Sequence, residues 1–201
     1  FDFYMSKFTT IVGITAVIYF LSVLFDGVVR PTLGISVLAG IFVGVFFGVI
    51  KLVVEIGYFK YLLKLVSGGS PSIEDLVKYT YIFWKYLFGG ILLILIVVAG
   101  LVLFIIPGIY LALRFVFVPV ILIDKETTIK EAFKKSTDLT KGTKWKLLGL
   151  IIILALIQIL TGALFFSHSG ELIYGAGFVF ISPYLLISFI KAYRTLQGLD
   201  S

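Results

Sequence analysis

No charged residue stands between Lys85 and Arg114. A span of ~30 Å of hydrocarbon needs ~20 apolar residues in a helix, and this stretch exceeds that. Several other runs in the chain approach the same length. Backbone polar groups inside lipid must be satisfied within the segment, so such runs fold as helices. Hydrophobic residues make up 60% of the 201 and charged residues 14%. Soluble domains hold about 45–50% and about 25% respectively. The expected fold class is all-α: a polytopic membrane helical bundle of six transmembrane helices with two short cytoplasmic interfacial amphipathic helices. The whole chain, 1–201, reads as one integral membrane domain.

The expected spans lie at about 8–25, 33–54, 89–106, 108–123, 147–166 and 172–190. The first connection is expected at Asp26–Pro31. No small-residue cleavage site follows the first run, so it reads as a span and not a removable leader. The second span carries Gly40, Gly44 and Gly48, four apart on one helical face. Glycines so spaced let helix backbones approach closely in lipid. They fit packing against a neighbour in the same chain or a homodimer face. Lys51 and Glu55, at i and i+4, can pair where this helix leaves the membrane.

Ser70-Pro71 has the form of an N-cap with proline at the first helical position, followed by Glu74 and Asp75 near the positive end of the dipole. The segment Ile73–Phe88 mixes Lys78 and Lys85 with Tyr79, Tyr81, Trp84 and Tyr86, which suits an interfacial helix. Ile106-Pro107-Gly108 is expected to be a tight helical hairpin, because proline ends a helix and glycine adopts the dihedrals of a reversal. Thr128 and Glu131 have the spacing of a capping box. Ile129, Ala132, Phe133, Ser136 and Leu139 then share one face, away from Lys130, Lys134 and Lys135. Gly142 is placed to stop this second interfacial helix. Trp145 and Lys146 anchor the next span, as Trp84 and Lys85 do the third, which gives a weak internal repeat.

Charge sets an orientation. Of the 17 Lys and Arg, Arg30 alone falls in an outer connection if the N-terminus is inside, and Arg114 lies within a span. Basic residues resist translocation, so both termini are expected on the cytoplasmic side of the cell membrane. Pro107 and Gly108 then lie at the outer surface.

Arg114 is the most informative single residue. It sits about six residues, or ~9 Å, below the hairpin. A cation at such depth costs about 2.5 kcal/mol or more, so it should face the bundle interior or a wet cavity. Gln158 and Ser182 lie at comparable depth, and Pro119 and Pro183 free the carbonyls of Phe115 and Val179. An intramembrane polar cluster of Arg114, Gln158 and Ser182 is therefore expected. It either ties helices together or holds an anionic headgroup or solute. Lys130, Lys134, Lys135 and Lys141, with Trp145 and Trp84, form an expected surface for lipid or a partner.

The stretches Gly100-Leu-Val-Leu-Phe-Ile-Ile-Pro107-Gly108-Ile-Tyr-Leu-Ala-Leu-Arg114, Thr128-Ile-Lys-Glu131-Ala-Phe-Lys-Lys-Ser136 and Lys141-Gly142-x-x-Trp145 carry a resemblance. They resemble the membrane domain attached to some glycerophosphodiester phosphodiesterases, and related integral-membrane proteins of bacteria and archaea. The likeness covers the C-terminal half, about Gly100 to Leu196; the N-terminal half matches in layout. In such fusions hydrolysis belongs to a separate soluble barrel. The resemblance therefore implies a six-helix membrane module without catalysis.

Cysteine is absent and His168 is the one histidine, which excludes thiolate chemistry and leaves no complete metal shell. His168 with Glu171 reads as a solvated outer loop. No phosphate loop, dinucleotide fingerprint or hydrolase elbow occurs. The expectation is a non-enzyme without cofactor or metal, with membrane lipids and a partner protein or second copy as partners and no nucleic acid. It would be a scaffold or accessory subunit. The alternative is a small permease or channel-like transporter with Arg114 near its solute path.

Overall fold

The computed structural model describes residues 7–169 and 171–198, without the side chains of 30–31, 33–35 and 162–178. The chain is an all-α, multi-pass membrane protein. Among the described residues, six helical stretches are long and apolar enough to cross a membrane: Phe8–Val29, Val37–Val66, Asp75–Leu103, Ile105–Lys125, Lys144–Thr161 and Val179–Leu196. The chain divides into two compact units, one of Phe1–Thr80 with Gln158–Leu186, the other of Tyr81–Ile157 with Ile187–Ser201.

In the first unit, α1 (Phe8–Ile35) packs along α2 (Val37–Val66). The expected break at Asp26–Pro31 lies inside α1. Asp26 and Arg30 are four apart, a spacing that a helix tolerates. The chain reverses at Ser36, which is extended (φ −153°, ψ 122°) and caps α2 by accepting from the Ala39 N–H at 3.4 Å. Polar capping chemistry, and not the nearest charge, sets this corner. Val37, Leu38, Phe42 and Phe46 stand exposed along α2, as suits a surface in contact with lipid. The far end of α2 is instead buried at Ile56, Tyr58, Tyr61, Leu62 and Leu65.

The expected helix over Ile73–Phe88 is divided. It consists of the one-turn α3 (Asp75–Lys78), a 3-10 turn (Thr80–Ile82) and the start of α4 (Phe83–Leu103). Ser70-Pro71 does not open a helix. Asp75 orders the turn, its carboxylate accepting from the Ser72 N–H at 3.0 Å. α3 lies against α2 at Gly57, where a Cβ would come within 2.0 Å of the Leu76 carbonyl oxygen.

In the second unit, the reversal after α4 occurs at Phe104, extended at φ −161° and ψ 146°, and not at Pro107-Gly108. Pro107 falls in the first turn of α5 (Ile105–Arg114), where its missing N–H has no intrahelical acceptor to lose. Gly108 serves close packing: a Cβ there would lie 2.7 Å from the Leu101 backbone nitrogen. The tip is wholly apolar, with Val102, Leu103, Phe104, Ile105 and Ile106 exposed.

Phe115–Phe117 interrupts the fourth expected span. α6 (Val118–Lys125) then begins with Pro119 in its first turn, so this proline starts a helix and kinks none. The Phe115 carbonyl accepts from the Val118 N–H at 3.0 Å. Val118, Val120, Ile121, Leu122 and Ile123 are buried, and the Leu122 side chain presses on α4 at Gly89. Glu126, left-handed at φ 54°, turns the chain into α7 (Ile129–Leu139). The Tyr81 hydroxyl donates to the Glu126 carboxylate at 2.6 Å and Lys85 Nζ to its carbonyl at 3.1 Å, holding this corner.

α7 has the capping box expected of Thr128 and Glu131, and Gly142 is left-handed at φ 77°. α8 (Lys144–Ser169) and α9 (Glu171–Leu196) complete the chain, with Pro183 inside α9. The connection expected at Ser167–Glu171 is largely helical, since α8 runs through His168 to Ser169 and α9 begins at Glu171; the side chains there lie outside the described residues. The C-terminal end of α9 joins the second unit's core, where Phe117 contacts the rings of Phe189 (5.2 Å) and Tyr193 (5.5 Å). The Tyr193 hydroxyl donates to the Asp124 carboxylate at 3.0 Å.

Candidate functional site

Arg114 ends α5, and its recorded partners come from α7. Its Nε donates to the Thr137 hydroxyl at 3.1 Å, and its guanidinium carbon sits 5.3 Å from the Phe115 ring centre. The break after α5 leaves the Arg114 carbonyl without a helical donor. The Ser136 hydroxyl supplies one at 2.9 Å, and the Thr140 hydroxyl, whose proton lies nearer the Ser136 carbonyl (2.9 Å), stands 3.3 Å away. Both hydroxyl residues are fully buried. The interruption of the span is thus sealed by side chains from α7, as a buried backbone carbonyl requires. Nearby, Lys144 Nζ donates to the Tyr110 hydroxyl at 2.7 Å, tying the start of α8 to α5.

These contacts also fix how α7 lies. Ser136 and Thr140 reach the residue that precedes α6, so α7 runs back antiparallel along α6 from the corner at Glu126. Ala132 and Ser136 are buried, Phe133 packs on Phe115 with ring centres 4.9 Å apart, and Lys130, Lys134, Lys135 and Lys141 are exposed. Trp145 is 85% exposed and Trp84 62%, the latter stacked on Phe88. Rings so presented suit the headgroup region.

Of the expected polar cluster, Arg114 belongs to the second unit and Gln158 and Ser182 to the first. Ser182 lines a cavity of about 250 Å³ there, with Thr15, Ile18, Ser22, Lys51, Glu55, Tyr58, Phe59 and Leu186. Arg114 is not among the lining residues. The Thr15 hydroxyl donates to the Ile11 carbonyl at 2.9 Å and lies 2.8 Å from the Tyr58 hydroxyl. Thr15 has one proton, so Tyr58 is the donor in that pair. Ser22 donates to the Ile18 carbonyl at 2.9 Å. Lys51 is the cation that acts on Glu55.

Of the glycine row of α2, Gly40 is buried while Gly44 and Gly48 have room. A Cβ at Gly44 would meet the Val29 side chain at 3.7 Å, and one at Gly48 would meet nothing within 4 Å. The close approaches occur at Gly57, Gly89, Gly100 and Gly108. Sequence reading passed over two further features. One is the cavity around Glu55, whose signal was a charged i, i+4 pair on a helix that begins as a span. The other is the ion pair of Lys64 with Asp75, whose oxygens lie 2.7 and 2.8 Å from Nζ. Asp75 is 3% exposed.

No family model, curated protein or solved structure matches this chain.

Proposed function

We propose that the protein is a non-catalytic membrane module that holds anionic lipid headgroups against the basic face of α7. The carrying observation is the division of that helix. One face is locked to α5 and α6 through Ser136, Thr140 and Ala132, while Lys130, Lys134, Lys135 and Lys141 project outward. A rigid row of lysines beside exposed Trp145 matches a charged headgroup layer, where each cation near the surface contributes about 1 kcal/mol. The charge bias supports a cytoplasmic placement of this face and of both termini, in the cell membrane. An accessory-subunit role follows from the same face if an acidic protein replaces the lipid. The likeness of Gly100–Leu196 to phosphodiesterase-linked membrane domains fits a module that serves a partner.

The test is native mass spectrometry of the protein from neutral detergent, titrated with phosphatidylglycerol and phosphatidylcholine of equal chain length. The wild type should retain the anionic lipid preferentially. The variant carrying Lys130→Gln, Lys134→Gln and Lys135→Gln should lose that preference while melting at the same temperature. Equal retention by both proteins overturns the proposal.

A second reading, a small permease, rests on the cavity around Lys51 and Glu55 in the first unit. Flux of a charged solute in liposomes, abolished by filling that cavity, is its test.

A further inference from the structure

The cavity of the first unit is lined by both a carboxylate, Glu55, and an ammonium, Lys51. Three of the four hydroxyl protons that line it with Glu55 are committed elsewhere. Thr15 gives its proton to Ile11, Tyr58 to Thr15, and Ser22 to Ile18. Lys51 acts on the Glu55 carboxylate through its charge. A partly buried carboxylate is stabilised by a hydrogen-bond donor, and the cavity leaves room for one from outside the protein. Its ~250 Å³ exceeds by several-fold the ~30 Å³ share of one water.

The geometry points to a zwitterion as occupant: we propose that this cavity binds an ammonium group on Glu55 and the acid group of the same molecule on Lys51. The two residues are four apart on α2, about 6 Å along the axis. That separation suits a molecule whose ammonium and acid groups are joined through two or three atoms. Phosphoethanolamine has this form, either as the headgroup of a membrane lipid or as a free solute. An ammonium alone would be repelled by Lys51, and an anion alone by Glu55. Ile18, Phe59 and Leu186 give the rest of the wall an apolar character that accepts hydrocarbon. The site lies on α1, α2 and α9, so it is independent of the lysines of α7 and fails or stands separately from them.

The experiment is isothermal titration of the delipidated full chain in neutral detergent. The probes are short-chain phosphatidylethanolamine, free phosphoethanolamine, short-chain phosphatidylglycerol and ethylamine. Saturable binding of the first or second, with at least tenfold weaker binding of the last two, is expected. Binding of the lipid alone identifies a headgroup site; binding of free phosphoethanolamine identifies a solute site. Glu55→Gln and Lys51→Gln should each weaken binding at least tenfold, with thermal melting confirming that both variants fold. Ser182→Phe, which fills the cavity from α9 and leaves both charges, should also abolish it. In the wild type, the bound probe should slow carbodiimide modification of Glu55. Equal binding of all four probes, no binding of any, or unchanged binding in both charge variants overturns the proposal.

Discussion

Arg114 Nε reaches the Thr137 hydroxyl at 3.1 Å, so the cation at the end of α5 is answered by α7, 23 residues further along the chain. The same helix returns the Ser136 hydroxyl to the Arg114 carbonyl, with that of Thr140 3.3 Å away. Side chain and backbone of one residue are thereby both tied to α7. Thr137→Val removes a charge-assisted bond and should cost about 1.5 kcal/mol. Ser136→Ala leaves the buried carbonyl to Thr140 alone and should cost about 1 kcal/mol. Arg114→Gln combined with Thr137→Val should cost less than the sum of the two, since they break one bond. Thermal melting in detergent reads all of these. Full additivity would show that Arg114 draws its support elsewhere.

Gly57 is the tightest point between α2 and α3. Its absent Cβ would sit 2.0 Å from the Leu76 oxygen and 2.4 Å from two further backbone atoms. Backbone cannot swing aside as a long side chain can. Gly57→Ala should therefore destabilise by about 3 kcal/mol, the upper part of the overpacking range. Gly48→Ala meets open space and should stabilise by up to about 1 kcal/mol through helix propensity. Melting temperatures that move in opposite directions bear this out; a neutral Gly57→Ala would show that α3 does not press on α2.

These two glycines show what the sequence discloses and what it withholds. Spacing made Gly40, Gly44 and Gly48 conspicuous, yet close approach depends on which backbone arrives opposite, and that is a tertiary fact. Local chemistry was legible: Thr128 with Glu131 caps α7, and the face of Ala132 and Ser136 is the buried one. The reversal expected at Pro107-Gly108 falls three residues earlier, at Phe104, because proline suits the first turn of a helix better than its end. Charge misled at Asp26–Pro31, where hydropathy breaks but the helix does not. The Glu55 cavity could not be read in advance. It needs Thr15, Ser22, Glu55 and Ser182 brought together from three helices, and no local pattern links them.

Lys64 and Asp75 should respond unequally to neutralisation. The Asp75 side chain is 4% exposed and that of Lys64 37%. Lys64→Met strands a buried carboxylate that keeps only the Ser72 N–H as donor. Stranding a fully buried charge costs about 3–5 kcal/mol, and access of water through the lysine's place should reduce this to about 2–3 kcal/mol. Asp75→Asn keeps the shape, retains an acceptor for Ser72 and releases a lysine that already reaches water, so it should cost about 1 kcal/mol. Chemical or thermal unfolding of both variants gives the order. A larger loss for Asp75→Asn would mean that the lysine, not the carboxylate, is the group that depends on the pair.

The capping box of α7 gives a pH dependence of definite sign. The Thr127 hydroxyl, and then the Thr128 N–H, bond the Glu131 carboxylate and hold its pKa below the usual carboxylate value. A group depressed in the folded state contributes stability above its unfolded pKa and loses it as pH falls through the folded one. The start of α7 should therefore be fully capped at neutral pH and fray on acidification below the ordinary glutamate range. Because α7 seals the Arg114 carbonyl, fraying from Thr128 should raise hydrogen exchange first at Ala132 and only later at Ser136. Glu131→Gln can still accept from Thr128, so it should keep the cap and abolish the acid step in exchange at these amides. Exchange measured across the acid range, wild type against variant, is the check; an acid step that persists in Glu131→Gln would assign the titration to another group.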